Sequence, residues 1–191
     1  MHDLLSEKIE LRKKQGSQYF SVAEISKPDE KEAKLGTFYL LLDYEAQEKN
    51  ATKIFEIVLH IFEEEYYGRK EEIYLRNSET ISSLFEEALA KLNKAFETLV
   101  NEGYLEDPKK VNACVAIIKE NEIHLASIGN IKTFLIRDDR MLELTQYEEA
   151  KKGQDIRSFS NVISGTVKTG DILLLTTKEI LNYFSNEKIK R

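Results

Sequence analysis

The chain has little of what marks secreted, membrane-spanning or nucleic-acid-binding proteins. Its 191 residues contain a single cysteine, Cys114, which excludes an intrachain disulfide and fits a reducing cytoplasm. No apolar run approaches the ~20 residues of a transmembrane helix, and the N-terminus lacks the basic leader and apolar stretch of a secretory signal. Because 34 acidic residues outnumber 28 basic ones, the net charge of -6 disfavours general binding to nucleic acid. We therefore expect no membrane insertion, no nucleic-acid partner and a cytoplasmic location.

Proline and glycine are also scarce. The sequence has two prolines and eight glycines, and it contains no low-complexity linker and no long-period repeat. With 41% hydrophobic and 32% charged residues, a chain of this length can bury one substantial core. We therefore expect one domain over residues 1–191.

The N-terminal part predicts strands. Two stretches, EKIELRKK and QYFSVAEIS, flank the turn KQGSQ and indicate a hairpin, although the first is equally compatible with a helix. A charged loop, KPDEKEAKLG, leads to TFYLLLD, whose continuous apolar run is typical of a strand buried on both faces. Asp43 ends this run, and its simplest interpretation is a turn or helix-capping residue at the end of the strand.

Two amphipathic helices are predicted next. Between Ala51 and Tyr67, apolar residues recur at spacings of three and four, and the pattern stops at Gly68. A longer stripe follows, with Ser78 as a candidate N-cap and Gly103 at the C-cap position. Its apolar members are Ile81, Leu84, Phe85, Ala88, Leu89, Leu92, Ala95, Phe96 and Leu99. Since neither helix can bury its stripe alone, a short connector predicts antiparallel packing.

The second half of the chain changes to short apolar runs typical of strands. After YLEDPKK come NACVAII, IHLASIG, NIKTFLI and MLELT, with the turns KENE and RDDR, which predict a four-stranded antiparallel meander. In VISGTVKTGDILLLTT, a turn at Gly170-Asp171 precedes another buried strand, and KEILNYF predicts a short helix. This order indicates an α+β fold with helices layered on antiparallel sheets.

These sequence segments, together with their order and spacing, resemble those of the metal-dependent protein serine/threonine phosphatases of type 2C, the PPM-type family. In that family a buried strand ends in Asp-Gly and enters the first of two antiparallel helices, as FYLLLDY does here. The family's TTAVVALI...LYVANVGDSRAYLIRDGKLEQLT is similar to NACVAIIKENEIHLASIGNIKTFLIRDDRMLELT, and its GDRLLLCSDGL to GDILLLTTKEIL. The resemblance covers Ser17 to Ile189. It implies a sandwich of two antiparallel β-sheets flanked by antiparallel helix pairs (α-β-β-α).

The resemblance also implies an active site that this sequence has largely lost. Family members hold two divalent metals, usually manganese or magnesium, on carboxylates at strand ends, and a metal-bound water attacks the phosphoester. Asp43 remains. However, GSQYFSV has no acidic residue at the family's first motif, and TKE stands where the family has SDG. The family's terminal Asp-Asn motif would lie beyond Arg191, so we expect a domain truncated at its C-terminal edge. The other degenerate positions are Tyr44, Asn130, Lys178 and Glu179.

One surviving carboxylate cannot hold two metals, and an ammonium at Lys178 would repel cations. We therefore expect no catalytic residues and no cofactor, and we predict a degenerate PPM-type domain that acts as a regulatory or protein-interaction module with a protein partner. As a hypothesis, Lys178 pairs with Asp43 and replaces the metal charge.

Alternative interpretations stay open. A weak or divergent manganese- or magnesium-dependent phosphatase would use Asp43 with Glu45, Glu48 or Glu179 as substitute ligands. Another alternative interpretation is that the chain is a structural domain cut from a longer protein. His60 and His124 show no metal-ligand spacing and are expected to be surface or half-buried imidazoles. Cys114, within ACVAII, is expected to be a core residue whose thiol pKa is raised by burial.

Overall fold

Antiparallel strands and two long helices make up the described part of the chain. The computed structural model describes residues 5–7, 19–26, 35–45, 48–68, 81–105, 107–145 and 158–189. The first elements are strands β1 (Tyr19–Ser26) and β2 (Thr37–Glu45) and helices α1 (Glu48–Ile61) and α2 (Ile81–Asn101). Six strands follow: β3 (Val111–Lys119), β4 (Glu122–Ile128), β5 (Ile131–Arg137), β6 (Arg140–Glu143), β7 (Val162–Thr166) and β8 (Ile172–Thr177). Two short helices, α3 (Ile180–Tyr183) and α4 (Asn186–Ile189), come last.

The strands form two antiparallel sheets that face each other. Sheet A has the strand order β1-β2-β3-β4-β7, and sheet B has the order β6-β5-β8. Leu173 and Leu175 of β8 pack against a sheet A cluster that contains Ala116, Ile118 and Leu125. The predicted α+β architecture with two antiparallel sheets is therefore confirmed.

Strand β2 lies between two apolar layers. Phe38, Leu40 and Leu42 belong to the core shared with the helices, whereas Tyr39 and Leu41 contact the clusters between the sheets. Because a strand covered on both faces needs apolar side chains at odd and even positions alike, its sequence reads as an unbroken apolar run. The prediction of a strand buried on both faces is confirmed.

The two long helices pack antiparallel on sheet A, as predicted. Near the start of α1, the Lys53 ammonium lies 3.1 Å from the ring centroid of Tyr104, just beyond the end of α2. At the opposite ends, the ring centroids of Phe62 and Phe85 are 6.0 Å apart. Gly103 has a φ of 75° and follows the last turn of α2, which confirms the predicted glycine C-cap.

Helix α1 begins three residues before the predicted start and continues into a π-helical segment, Phe62–Tyr67, that the sequence pattern did not predict. Within it, the adjacent side chains of Tyr66 and Tyr67 are both buried. Their hydroxyls donate hydrogen bonds to the carbonyls of Leu35, at 2.7 Å, and Gly36, at 2.9 Å. The segment thus anchors the chain just before β2, which explains why two successive side chains point inward.

The predicted four-stranded meander is wrong in its connectivity. Strand β4 pairs with β3 and β7 in sheet A, whereas β5 pairs with β6 and β8 in sheet B. The chain passes from one sheet to the other at Gly129-Asn130, where Gly129 adopts a φ of 73°. The alternation of apolar residues is the same on either side of a hairpin or of a crossing between layers, so the pattern alone did not distinguish them.

The C-terminal part ties the two sheets together. The Arg137 guanidinium of β5 donates two hydrogen bonds to the Asp171 carboxylate, at 2.8 and 2.6 Å, and one to the Thr166 carbonyl of β7, at 3.0 Å. Gly170, with a φ of 92°, forms the predicted turn, and the predicted short helix is α3. Apart from α1 and α2, the α-helices in the described ranges are α3 and α4, each of four residues, so these ranges contain no second pair of long helices.

Several predictions fall outside the described residues: most of EKIELRKK, most of the charged loop before Leu35, and the Ser78 cap. None of the helices in the described ranges combines the length and apolar composition that crossing a bilayer would require.

His124 is more buried than the sequence suggested, since its residue is only 8% exposed. It lies on the helix-facing side of β4, and its ring centroid is 6.4 Å from that of Phe85. Nδ1 shares a hydrogen bond of 2.8 Å with the Ser164 hydroxyl, and Nε2 has no partner in the part of the chain that the structure describes. Burial lowers the pKa of His124, although the charges of Glu122 and Glu86 partly oppose this.

We predict that His124 makes the protein less stable as the pH falls. Its lowered pKa means that the unfolded chain takes up a proton first, so stability is full above the ordinary value of 6.5 and declines below it, toward the folded pKa. His124→Asn keeps a partner for Ser164 and removes the titration, so the decline should flatten. The measurement is the urea midpoint between about pH 7.5 and about pH 5.5. His60→Asn, at an exposed position, should keep the wild-type dependence, and a His124→Asn curve parallel to wild type would contradict the prediction.

Candidate functional site

A small cleft lies where strands of both sheets end. Asp43, near the end of β2, pairs with Asn112 near the start of β3, and Thr177 ends β8 opposite Ile131 of β5. Asn130, in the link between the sheets, completes the inner part. The cleft has a volume of about 180 Å³. Its outer lining consists of Lys109, Lys110, Lys178 and Glu179.

Asp43 is not a turn residue, which corrects the simplest sequence interpretation. Strand β2 continues for two residues beyond it, to Glu45, and α1 begins too late for Asp43 to be its N-cap. The side chain is on the same face of β2 as Leu41, toward sheet B, and the residue is only 5% exposed. A carboxylate so placed needs hydrogen-bond donors, since burying an unpaired charge is costly.

The Asn112 amide supplies one such donor and connects two segments. Its Nδ2 donates to the Asp43 carboxylate at 3.1 Å, and its Oδ1 accepts from the backbone N–H of Asn130 at 2.8 Å. Because a backbone N–H can only donate, the amide oxygen must face Asn130 and the amide nitrogen must face Asp43. The orientation of the amide is thus determined, and Asp43 is held as a hydrogen-bond acceptor.

The other positions that the resemblance singled out fall into two groups. Asn130, Lys178 and Glu179 line the cleft with Asp43, whereas Tyr44 is buried on the opposite face, in the core shared with the helices. The side chains of the two remaining candidate ligands, Glu45 and Glu48, are not described.

Lys178 and Asp43 lie in the same cleft without forming the direct ion pair that we hypothesised. Among the residues the structure describes, no ion pair joins them, and the hydrogen-bond partner seen for Asp43 is Asn112. Lys178 is exposed where it lines the cleft.

Three lining residues were missed by sequence reasoning: Asn112, Lys109 and Lys110. Antiparallel pairing carried a usable signal for Asn112, since a residue near the end of β2 must lie opposite one near the start of the next strand. The lysines lie in the 3-10 turn Pro108–Lys110, whose N-cap Asp107 accepts a hydrogen bond from the Lys109 N–H at 3.0 Å. Nothing in the sequence pattern related that turn to the cleft.

Positive charge is in excess around the cleft. Three ammonium groups and two carboxylates, those of Asp43 and Glu179, line it. The lysines are exposed, whereas Asp43 is buried, so the positive groups lie outside and a carboxylate lies inside. Within the described ranges, no three His, Cys, Asp or Glu side chains come close enough to share a metal ion.

Cys114 belongs to the core near this end of the sandwich and not to a reactive site. It is fully buried, 3.6 Å from the Thr133 hydroxyl, and burial raises the pKa of its thiol to about 12. The expectation of a core thiol with a raised pKa is confirmed.

Comparison with solved structures decides the fold. PppA, described as a key regulatory component of the T6SS in Pseudomonas aeruginosa, superposes with a TM-score of 0.60 at 10% identity, covering 90% of this chain and 82% of that one. The S. agalactiae serine/threonine phosphatase gives a TM-score of 0.56 at 13% identity, with 94% and 80% covered. This chain has the PPM-type, or type 2C, phosphatase fold. No protein-family model and no curated protein matches the sequence.

Another PPM-type structure is the catalytic domain of the serine/threonine phosphatase PstP in complex with two manganese ions. It has a TM-score of 0.55 at 14% identity, and the match covers 93% of this chain and 77% of that one. At such identities the comparison establishes the PPM-type fold and does not transfer the activity.

We predict that Asn112→Ala destabilises the protein by about 1 to 3 kcal/mol, because it removes a donor from a buried carboxylate and an acceptor from the Asn130 N–H. The measurement is urea unfolding. Asn182→Ala, at an exposed position of α3, is the matched control and should change stability little. Equal effects of the two substitutions would show that the Asn112 network contributes nothing.

Proposed function

We propose that this chain is a catalytically degenerate PPM-type domain that acts as a regulatory or protein-interaction module and lacks metal-dependent phosphatase activity. The observation that carries the proposal is the lining of the cleft, in which lysines accompany a single buried carboxylate that an amide already holds.

The donor set fits a two-metal centre poorly. Manganese and magnesium ions need several hard oxygen ligands each, and two neighbouring ions need carboxylates to offset their charge. Here the cleft offers Asp43 and Glu179, and its three lysines would oppose the approach of cations. We therefore infer that the domain has no resident metal and that it differs in this from PstP, whose catalytic domain holds two manganese ions.

A module without chemistry must act through binding. We infer a protein partner, since the acidic net charge disfavours nucleic acid. PppA, a solved relative in fold, is itself described as a regulatory component. The single cysteine supports a cytoplasmic location in this proposal.

A divergent phosphatase is the second candidate, and one observation favours it. Glu179 shares the cleft with Asp43, so two carboxylates are present where substitute ligands would be needed. Such an enzyme would use these two groups to bind a manganese or magnesium ion weakly.

Hydrolysis of an aryl phosphate at millimolar manganese or magnesium separates the two candidates. We expect no turnover above a buffer blank, for wild type and for Asp43→Asn alike. The divergent-enzyme candidate instead requires metal-dependent turnover that Asp43→Asn abolishes, and that result would overturn the proposed function.

A further inference from the structure

The charges of the cleft suggest a ligand of opposite sign. Lys109 and Lys110 come from the turn before β3, and Lys178 comes from the end of β8, so ammonium groups from two separate parts of the chain surround one small space. All three residues are exposed, so their side chains face the solvent from which a ligand would enter. An anion entering the cleft would meet these groups first.

Neutral donors extend the positive lining inward. The Thr177 hydroxyl and the Asn130 amide can both donate hydrogen bonds to an oxygen atom in the cleft. At about 180 Å³ the space is far larger than the ~10–15 Å³ that a single water needs, which leaves room for a tetrahedral oxyanion and part of its hydration.

Asp43 determines how deep an anion can bind. Its carboxylate is buried and would repel a negative ligand that reached the inner end, whereas its hydrogen bond from Asn112 offsets part of that charge. The favoured position is therefore the outer half of the cleft, beside Lys178.

We propose that the cleft binds a dianionic phosphate group directly through lysine side chains, with no metal between protein and phosphate. The inference rests on the proposed function, because it treats the cleft as a binding site without hydrolysis. The phosphate is either the free ion or a group carried on the side chain of a protein partner. Since exposed charge pairs contribute little individually, we expect a dissociation constant on the order of 1 mM at low salt.

Isothermal titration calorimetry tests this proposal. Sodium phosphate is titrated into the intact chain in a chelating buffer at constant ionic strength. We expect saturable binding to wild type, binding weakened about fivefold by Lys178→Gln, and further weakening at high salt. Lys94→Gln, at an exposed position of α2 outside the cleft, removes the same charge and should bind as wild type does. Absence of saturable binding, or equal binding by the two variants, would overturn the proposal.

A second arm distinguishes the two sources of phosphate. N-acetyl-phosphoserine amide and its unphosphorylated counterpart are titrated in the same way. Tighter binding of the phosphorylated compound than of free phosphate supports recognition of a modified protein, whereas binding of the free ion alone supports a small-ion site. Because metal is chelated throughout, failure of this inference is separate from failure of the proposed function, which only metal-dependent turnover would show.

Discussion

The amide of Asn112 holds together the segments that form the cleft. It joins the Asp43 carboxylate of β2 to the backbone of the link through which the chain passes from sheet A to sheet B. Both contacts use the amide in its one possible orientation, so a small polar network joins β2 to the link between the sheets. This side chain therefore adds a link between the strand ends of sheet A and the crossing between the sheets to the backbone pairing of the strands.

The apolar layers that stabilise the sandwich and the polar lining of the cleft are made of different residues. The sandwich is stabilised by apolar layers: the helices against one face of β2, and Leu173 and Leu175 of sheet B against the other side of sheet A. Of the positions that the resemblance singled out, Tyr44 belongs to these layers, whereas Asp43, Asn130, Lys178 and Glu179 line the cleft. Lys178 and Asn130 line the cleft and belong to none of these apolar layers.

Sequence patterns predicted the elements better than their connections. Amphipathic stripes located both long helices, and the unbroken apolar run before Asp43 identified a strand covered on both faces. The crossing at Gly129 was missed because alternation does not show to which sheet a strand belongs. In the cleft, the resemblance identified the residues at the ends of strands. It did not identify Asn112, whose position opposite Asp43 follows from the strand register, or Lys109, whose turn only tertiary packing brings near Asp43.

The most direct test of whether lysines and an amide occupy the cleft in place of metal ions is a manganese titration in which thermal unfolding is measured at each concentration. A ligand that binds only the folded state stabilises it by about 2.7 kcal/mol at ~100 times its dissociation constant, which is readily detected. We expect no saturable shift of the unfolding temperature for wild type at millimolar manganese. A saturable increase that disappears in Asp43→Asn would contradict this, because it would show that the cleft still holds a metal on its surviving carboxylate.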